Sequence, residues 1–395
     1  MRTSLERFCR GGPQRRKALL GICTAAILAS CSADSPTTPT AAFGVDARAK
    51  PTLAITPPEQ LPLPSGCPNF FPVGVNERGT VVGFSDFCPG PGRQQAFRLY
   101  ATGIYDSLPK PYGQAVHPIS VGRHDEVYAL VQNPDPNGDW LVAVIDANNR
   151  ISWLVYPADG RNYATLGPPN DRGTFVIRGS VPYGPREYFL WNGLGKFEPL
   201  PPPPSGQRFD ASGLNDREVV VGTIHAGDQA FAATWSRGEG YVVLPQPSSF
   251  VYGSWGAMID ARGRVYGHVL VPLADSTCPY WSPGVRTDVP AVWNGRDTVQ
   301  LLATDLPRCR TNVSCRATAD AGLAVGTLFG DAPDLPLAPS YAFVATVDGR
   351  VATAPCPVGH SCQAAGIDRR GGVVGHMLDA DRNGQPLVWR VDARR

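Results

Sequence analysis

Charged residues are scarce in this chain: Asp, Glu, Lys and Arg make up only 18% of its 395 residues. Long surface helices need charged outer faces, so the scarcity of charge argues against a helical protein. Glycine and proline are instead abundant, with 43 and 40 residues. Because both residues mark turns, the composition favours many short strands joined by tight turns.

Long apolar runs are also missing. The run ALLGICTAAILA at 18–29 has only twelve residues and is too short to span a bilayer comfortably. It follows a basic stretch at 15–17 and ends in LASC at 28–31. This arrangement resembles the signal peptide and lipobox of bacterial lipoproteins, which implies that residues 1–31 are a signal peptide and that Cys31 is lipidated. The alternative is an ordinary secretory signal in which Cys31 is incidental.

Residues 32–52 are rich in small and polar residues, mainly Ser, Thr, Pro and Ala. Such a composition predicts a flexible tether that leads to a folded domain at 53–395. Ser32, directly after the cysteine, resembles the outer-membrane sorting signal of Gram-negative lipoproteins. We therefore expect a monomeric lipoprotein that is anchored by its lipid to the outer membrane of a bacterial cell envelope.

An excess of positive charge is missing once the signal peptide is removed. The whole chain has a formal net charge of +2, and residues 1–31 hold six Arg or Lys and one Glu. Subtracting the net charge of that segment leaves −3 for the remainder. Because nucleic acids attract basic surfaces, they are not expected partners.

One phrase recurs along the chain. LNDREVVVG at 214–222 returns as VNERGTVVG at 75–83 and IDRRGGVVG at 367–375. Aligned on the asparagine of LNDRE, the copies follow each other at intervals of 45 to 59 residues and fall at Asn76, Gly122, Asn170, Asn215, Asp260, Ala319 and Asp368. The copies at Gly122 and Ala319 are degenerate in spelling. Periods of this size indicate a solenoid or a propeller.

Each copy of the phrase predicts a β-hairpin. The Asn or Asp side chain begins the turn, because it can accept hydrogen bonds from nearby backbone N–H groups. Glu218 occupies the place of the turn glycine in the copy at Asn215 and should be strained. The other turn glycines tolerate a positive φ at little cost and are Gly79, Gly173, Gly263, Gly322 and Gly371.

Two further strand signals follow the hairpins. The first is an aromatic segment such as QAFRLY at 95–100 or QAFAATW at 229–235. The second is a short strand that ends in proline, such as YVVLP at 241–245. The fold class is therefore all-β with four strands per repeat, which fits a sandwich, a solenoid or a propeller.

The two ends of the folded domain favour a closed propeller. The last repeat stops after PLVW at 386–389 without a fourth strand, whereas EQLPLP at 59–64 precedes the first hairpin alone. Pro62 precedes Asn76 by 14 residues, within the 12 to 15 residues that separate other strand-ending prolines from the next turn. Because closure removes exposed strand edges, we predict a seven-bladed β-propeller in which the N-terminal strand pairs with the last blade.

The spelling of the repeat resembles a known family. Bacterial extracellular repeats named for a His-Ala-Phe tripeptide combine an Asn-x-x-Gly-x-Val-Val-Gly hairpin with a following His-Ala-Phe-x-Trp segment. In this chain the tripeptide is Gln95-Ala96-Phe97 in one repeat and Gln229-Ala230-Phe231 in another. The resemblance implies an extracellular location and no established reaction.

Seven cysteines follow Cys31, and export makes disulfides feasible. In a propeller, inter-blade loops and loops between second and third strands share one face, and all seven cysteines are assigned to such loops. Without a CxxC pair, loop stapling is favoured over a metal site. We expect the bonds Cys67–Cys88 and Cys356–Cys362, and a third bond from Cys278 to either Cys309 or Cys315 that leaves one thiol over.

Two loops carry alternating oxygen-bearing side chains before a glycine, which suits Ca²⁺. An EF-type loop also needs a Glu eleven residues after its first ligand, where the second loop has Arg390. Asn-Gly is moreover a common hairpin turn. We therefore expect no cofactor, with calcium as the alternative at Asn133, Asp135 and Asn137 or at Asp379, Asp381 and Asn383.

Catalytic signatures are absent from the sequence. It has no G-x-S-x-G or HExxH motif, and its acidic residues cluster in the hairpin turns. His268 and His376 each follow the last glycine of their phrase, but in repeats that are not adjacent, too far apart for one metal. We expect both to be strand histidines with backbone partners.

These patterns favour a binding protein with an unidentified protein or glycan ligand. The insertion VPLADSTCPYWSPGVRTD at 271–288 predicts an irregular loop in which Tyr280 and Trp281 contact the ligand. In the alternative interpretation, both rings pack on the blade beneath. A carbohydrate-active hydrolase or lyase on the same scaffold is the second functional hypothesis, and it requires a central cluster of carboxylates with room for a sugar.

Overall fold

The structure is a computed structural model, and it describes most of the chain from Leu53 onward. All described residues belong to one compact unit, Ala49–Arg395. They are 53–89, 94–133, 140–154, 162–167, 169–180, 186–192, 197–204, 206–247, 252–272, 286–295, 298–301, 312–317, 322–329, 340–346, 348, 350–379 and 383–392. None of these residues belongs to a helix long and apolar enough to cross a membrane.

The described residues confirm the all-β fold class, because their only helical segment is a 3-10 turn at Pro111–Gly113. Four sheets each contain four consecutive strands: β3–β6 at Phe71–Val75, Val81–Ser85, Gln95–Leu99 and Tyr105–Ser107; β7–β10 at Val116–Val121, Val127–Val131, Leu141–Ile145 and Ile151–Leu154; β11–β14 at Asn162–Thr165, Phe175–Ser180, Arg186–Trp191 and Phe197–Pro199; and β23–β26 at Asn312–Ala317, Leu323–Phe329, Ser340–Thr346 and Val351–Thr353.

Two larger sheets complete the described strands. An eight-stranded sheet contains β15–β22 at Gln207–Leu214, Val220–Ala226, Gln229–Ser236, Gly240–Val243, Gly253–Ile259, Val265–Pro272, Arg286–Asn294 and Thr298–Leu301. Its halves β15–β18 and β19–β22 are joined by a single parallel pair, Ala230 with Gly253. A five-stranded sheet contains β27–β29 at Ser361–Ile367, Gly372–Leu378 and Gly384–Asp392, together with β1 at Ala54–Ile55 and β2 at Glu59–Gln60.

The turns between first and second strands explain why one phrase recurs. The Asn215 side-chain oxygen accepts hydrogen bonds from the N–H groups two and four residues later, both at 3.0 Å, and so closes the hairpin. Its amide nitrogen donates to the Asp260 carbonyl oxygen in the next turn at 3.0 Å. Asn76 and Asn170 repeat both interactions. The repeated asparagine therefore closes its own turn and bridges to the neighbouring hairpin.

The turn glycines have the backbone conformation that their pattern predicts. The φ values are 78° at Gly79, 74° at Gly173 and 88° at Gly263. Glu218 has φ 58°, so the strain expected there is confirmed. Asp125 holds the same left-handed position in the degenerate copy at 121–129, with φ 65°.

A β-bulge interrupts the first strand of several sheets shortly before the turn. The register shifts lie at Pro72/Gly74, Pro118/Ser120, Ala211/Gly213, Gly256/Met258 and Ala364/Gly366. A bulge bends its strand and increases the local twist. Each of these five first strands is therefore bent at a corresponding position, shortly before its turn.

The N-terminal strands pair with the last strand of the chain. Glu59 and Gln60 are opposite Val388 and Leu387, so the predicted pairing of 59–64 with PLVW is confirmed for these residues. Ala54 and Ile55 extend the same edge opposite Asp392 and Val391, which the sequence did not indicate.

The core lies between neighbouring sheets. Trp191, Trp293 and Trp389, all on third strands, are fully buried. The Trp293 indole N–H donates to the Pro245 carbonyl oxygen at 2.8 Å. The Trp389 indole N–H donates in the same way to a proline after β26, again at 2.8 Å. The proline that ends a fourth strand thus accepts a hydrogen bond from the next sheet.

Among the described residues, two disulfides are present, Cys67–Cys88 and Cys356–Cys362, and both are expected pairs. The placement of the cysteines was only partly right. Cys315 lies within β23 and Cys362 within β27, although inter-blade loops were expected. Both strands begin earlier than the sequence suggests because their backbones pair with the following β24 and β28.

Candidate functional site

A cavity of about 730 Å³ lies where the bulged first strands converge. This volume falls within the range of small-molecule sites. Its wall is formed mainly by the segments 73–77, 118–124, 165–167, 169–171, 212–214, 257–259 and 365–369. Because the bulges lie in or next to these segments, they shape the wall.

The wall has little side-chain bulk where strands from different sheets meet. A Cβ atom at Gly366 would lie 3.2 Å from the Gly74 Cα atom, and one at Gly74 would lie 3.7 Å from the Ser120 Cα atom. Glycine therefore lets these strands approach closely. The Gly366 contact also brings the sheet of β27 against that of β3.

Four charged side chains form an alternating network at the turn end of the cavity, here called the mouth network: Glu77, Arg123, Asp171 and Arg369. Arg369 lies 2.8 Å from the Glu77 carboxylate and 3.3 Å from that of Asp171. Arg123 lies 3.1 Å from Asp171 and 3.9 Å from Glu77. The network joins turns from four sheets and balances two positive charges with two negative ones.

The other described acidic residues of the cavity wall serve the turns. Asp368 accepts hydrogen bonds from the N–H groups of Arg370 at 2.8 Å and Gly372 at 2.7 Å. Glu126 accepts one from the His124 N–H at 2.8 Å. The described wall therefore holds carboxylates, but each one has a cationic or backbone partner.

A row of aromatic rings lies at the opposite end of the first strands, here called the ring row. Phe71 stacks on Phe84 at 5.4 Å between centroids and meets His376 edge-on at 5.3 Å. His117 contacts Phe84 at 6.3 Å and Trp140 at 4.9 Å. Trp140 remains 39% exposed. Burial lowers the pKa of His117, partly offset by the nearby negative charge of Asp86.

His268 and Asp288 form a half-buried pair on neighbouring strands β20 and β21. The His268 ring stacks on Trp255 at 5.0 Å, and its Nε2 atom lies 3.7 Å from an Asp288 oxygen. Burial lowers the pKa of His268 to about 4 and raises that of Asp288 to about 6. The expected backbone partner of His268 is therefore replaced by an indole and a carboxyl group.

The predicted calcium loop at 379–383 is a hairpin turn where it is described. The Asn383 N–H donates to one Asp379 carboxylate oxygen at 2.7 Å, and the Asn383 side-chain amide donates to the other at 3.2 Å. Both oxygens thus have partners within the turn. Among the described residues, no group of three His, Cys, Asp or Glu side chains is placed to hold a metal.

Several predicted site residues lie outside the described residues, and these are Cys31, Cys278, Cys309, Tyr280, Trp281, Asp135, Asn137 and Asp381. Asn133 lies at the edge of its described segment, and only the backbone of Cys315 is described. The predicted insertion 271–288 was wrong at both ends. β20 continues to Pro272 and β21 begins at Arg286, because Val271 and Pro272 pair with Thr287 and Arg286.

The structural comparison shows a β-propeller fold. The chain is similar to an oligogalacturonate lyase from Vibrio parahaemolyticus, with a TM-score of 0.57, 10% identity, and coverage of 87% of this chain and 99% of that chain. It is also similar to the β-propeller domain of the Trilobed protease from Pyrococcus furiosus, described as having an open velcro topology, with a TM-score of 0.54, 11% identity, and coverage of 82% and 95%.

A third similar structure is an oligogalacturonate lyase in complex with manganese, with a TM-score of 0.51, 10% identity, and coverage of 87% of this chain and 98% of that chain. No protein-family model matches the sequence. No curated protein matches it at a significant level. At such low identity, the likeness establishes the fold and leaves the chemistry to this chain's own residues.

Proposed function

We propose that the chain is a seven-bladed β-propeller whose last blade is completed by the N-terminal strand. The single parallel pair between β17 and β19 supports counting the eight-stranded sheet as two blades. The pairing of β1 and β2 with β29 supports completion of the last blade. The ion pair between Arg369 and Glu77 supports contact between the last and first blades. The repeats are divergent relatives of the His-Ala-Phe type, with Gln95 and Gln229 at the tripeptide.

This propeller binds a ligand and acts as a lipid-anchored protein of the bacterial outer membrane. The observation that supports binding most is the central cavity of about 730 Å³. Its described acidic residues are already engaged by arginines or by turn N–H groups. Carboxylates engaged in this way serve the turns and the mouth network, which suits a structural role.

The principal test is capture of an envelope ligand by the purified full-length chain. Glycan and protein fractions are passed over immobilised wild type, Trp281→Ala and Trp140→Ala. Trp281→Ala should reduce retention, because Trp281, in the segment 273–285 between β20 and β21, is the proposed contact. Loss of retention with Trp140→Ala alone would move the contact to the ring row. Failure of the wild type to retain either fraction would contradict the binding function.

Lipid anchoring is tested separately. Cells that express the chain are labelled with radioactive palmitate, with and without globomycin, beside a Cys31→Ser variant. Label on the wild type, its absence from Cys31→Ser, and accumulation of precursor under globomycin are expected. An unlabelled wild type would contradict the anchor without affecting the ligand.

A second candidate function is a carbohydrate lyase or hydrolase, supported by the likeness to the two oligogalacturonate lyases. The discriminating assay incubates oligogalacturonate with the full-length chain, with and without manganese, and follows shortening of the oligosaccharide. Turnover would favour the enzyme. Binding without turnover would favour the binding protein.

A further inference from the structure

A basic cluster surrounds Asp210 where the β11–β14 sheet faces β15. One Asp210 carboxylate oxygen accepts a hydrogen bond from the Tyr188 hydroxyl at 2.9 Å. The other lies 2.9 Å from an Arg208 guanidinium nitrogen and 3.2 Å from His225 Nε2. Arg186 lies 4.0 Å from the first oxygen. Four side chains therefore converge on one carboxylate.

Strand pairing sets this cluster in place. Arg208 is directly opposite His225 on β15 and β16, and Arg178 is directly opposite Tyr188 on β12 and β13. Positive charge from Arg186 and Arg178 acts on the Tyr188 hydroxyl. β15 runs from this cluster to the Asn215 turn, so the cluster lies at the end of the strand away from the mouth network.

Charge is not balanced within the cluster. Among the described residues, three arginines and a histidine accompany the single carboxylate of Asp210, whereas the mouth network pairs each arginine with two acids. The Asp210 oxygens are already occupied, yet each guanidinium group has five N–H donors. Arg186 and Arg208 are 52% and 59% exposed, so donors remain directed to solvent.

We propose that Arg186, Arg208 and His225 bind an oxyanion group, and that Asp210 holds Arg208 on β15 and His225 on β16 in position. Guanidinium groups recognise carboxylate, sulfate and phosphate through paired hydrogen bonds. The ligand is an acidic sugar or a free inorganic oxyanion. This inference rests on the proposed binding function, since it names the chemical class of the ligand.

The position of Asp210 explains why a site forms here. A lone pair of exposed arginines would be mobile, and each would lose conformational entropy on binding. The bond from Arg208 to Asp210 restricts that side chain before the ligand arrives. Tyr188 is buried and anchors Asp210 from the neighbouring sheet.

The test is calorimetric titration of the purified full-length chain at low salt with trigalacturonate, a neutral galactose trisaccharide, sodium phosphate and sodium sulfate. Binding of at least one oxyanion, and none of the neutral sugar, is expected. Arg186→Gln with Arg208→Gln should weaken that binding at least about tenfold. The matched pair Arg172→Gln with Arg262→Gln removes two exposed turn arginines and should leave it unchanged.

Trigalacturonate that binds more tightly than the inorganic ions identifies an acidic sugar, and the reverse identifies a free oxyanion. Thermal unfolding of each variant shows whether it remains folded, and Arg186→Gln alone serves if the double variant does not. No oxyanion binding to the wild type, or unchanged affinity in the folded variants, would overturn the site. An envelope ligand that the Arg186→Gln, Arg208→Gln chain still captures would preserve the binding function while removing this site.

Discussion

The Tyr105 hydroxyl donates a hydrogen bond to the Pro62 carbonyl oxygen at 2.6 Å. The Tyr241 hydroxyl donates to the Pro201 carbonyl oxygen at the same distance. Tyr241 lies on the fourth strand β18, and Pro201 follows the fourth strand β14 of the preceding sheet. Pro62, from the N-terminal segment, therefore takes the place that a strand-ending proline takes elsewhere in the chain.

Removal of either tyrosine hydroxyl should destabilise the fold to the same degree. Tyr105→Phe and Tyr241→Phe each lose one hydrogen bond and should lower the free energy of unfolding by about 0.5–1.5 kcal/mol. Urea unfolding monitored by tryptophan fluorescence measures both. A cost for Tyr241→Phe without one for Tyr105→Phe would show that residues 59–62 are not held like a fourth strand.

Substitution at Asn215 should separate the two roles of the repeated asparagine. Asn215→Asp keeps the turn-closing oxygen but loses the amide N–H that donates to the Asp260 carbonyl oxygen. It should lower the free energy of unfolding by about 1 kcal/mol. Asn215→Ala loses all three hydrogen bonds and should cost about 2 kcal/mol or more. The exposed Asn148 provides the control, and Asn148→Ala should change stability little. In chemical denaturation, no cost for Asn215→Asp would contradict the bridging role, and equal costs for both variants would contradict the turn-closing role.

Arg98 should be required for folding stability although it is not among the proposed ligand contacts. Its side chain is 0% exposed and donates to Asp106 at 3.2 Å and to the Asp146 carbonyl oxygen, in the next sheet, at 2.8 Å. Arg98→Met removes these donors, although Asn149 still donates its side-chain amide to Asp106 and its N–H to the Asp146 carbonyl oxygen. The substitution should therefore cost about 1–3 kcal/mol. Arg150→Met, at an exposed turn, is the matched control. A melting temperature that changes equally in both variants would refute this role.

His268 and Asp288 should have opposite effects on the pH dependence of the free energy of unfolding. The folded pKa of His268 is lowered to about 4, so its contribution is lost as pH falls below the unfolded value of about 6.5. The folded pKa of Asp288 is raised to about 6, so its contribution is lost as pH rises from about 4 to 6. Across pH 4 to 6 the two trends have opposite signs and largely cancel.

Removing one partner should expose the trend of the other. Asp288→Asn should lose stability on acidification from pH 6.5 to 4 more steeply than wild type. His268→Gln should instead gain stability relative to wild type as the pH is lowered from 6.5 to 4. Urea unfolding at several pH values measures the differences. Parallel curves for wild type and both variants would contradict the lowered and raised pKa values.

Local chemistry made the hairpins predictable from sequence. An Asn side chain followed three residues later by glycine allows little other than a closed turn, and Glu218 shows that the turn forms even where glycine is missing. The Pro62 spacing was informative because the hydrogen bond to Tyr105 depends on register. The expected disulfides Cys67–Cys88 and Cys356–Cys362 followed from assigning all four cysteines to loops on one face, although Cys362 lies within β27.

The cavity wall and the basic cluster could not be predicted in the same way. Bulges at residues such as Ser212 depend on backbone pairing, which leaves no mark in the repeated phrase. Arg186 and Arg208 are brought together by two sheets and stand apart from the turn motifs. One usable signal existed: Arg178 takes the place at which other repeats carry uncharged residues or histidine, such as Phe84, Thr223 and His268.

The hydrogen bond from the Arg390 N–H to the Thr56 hydroxyl links residues 334 positions apart. During synthesis, β1 and β2 emerge long before β29, so they cannot pair with it until the end of the chain has been made. Loop-closure entropy opposes so distant a union, which makes it a late and slow step of assembly. Deletion of the last dozen residues would therefore remove β29 and also leave β1 and β2 without the strand to which they pair.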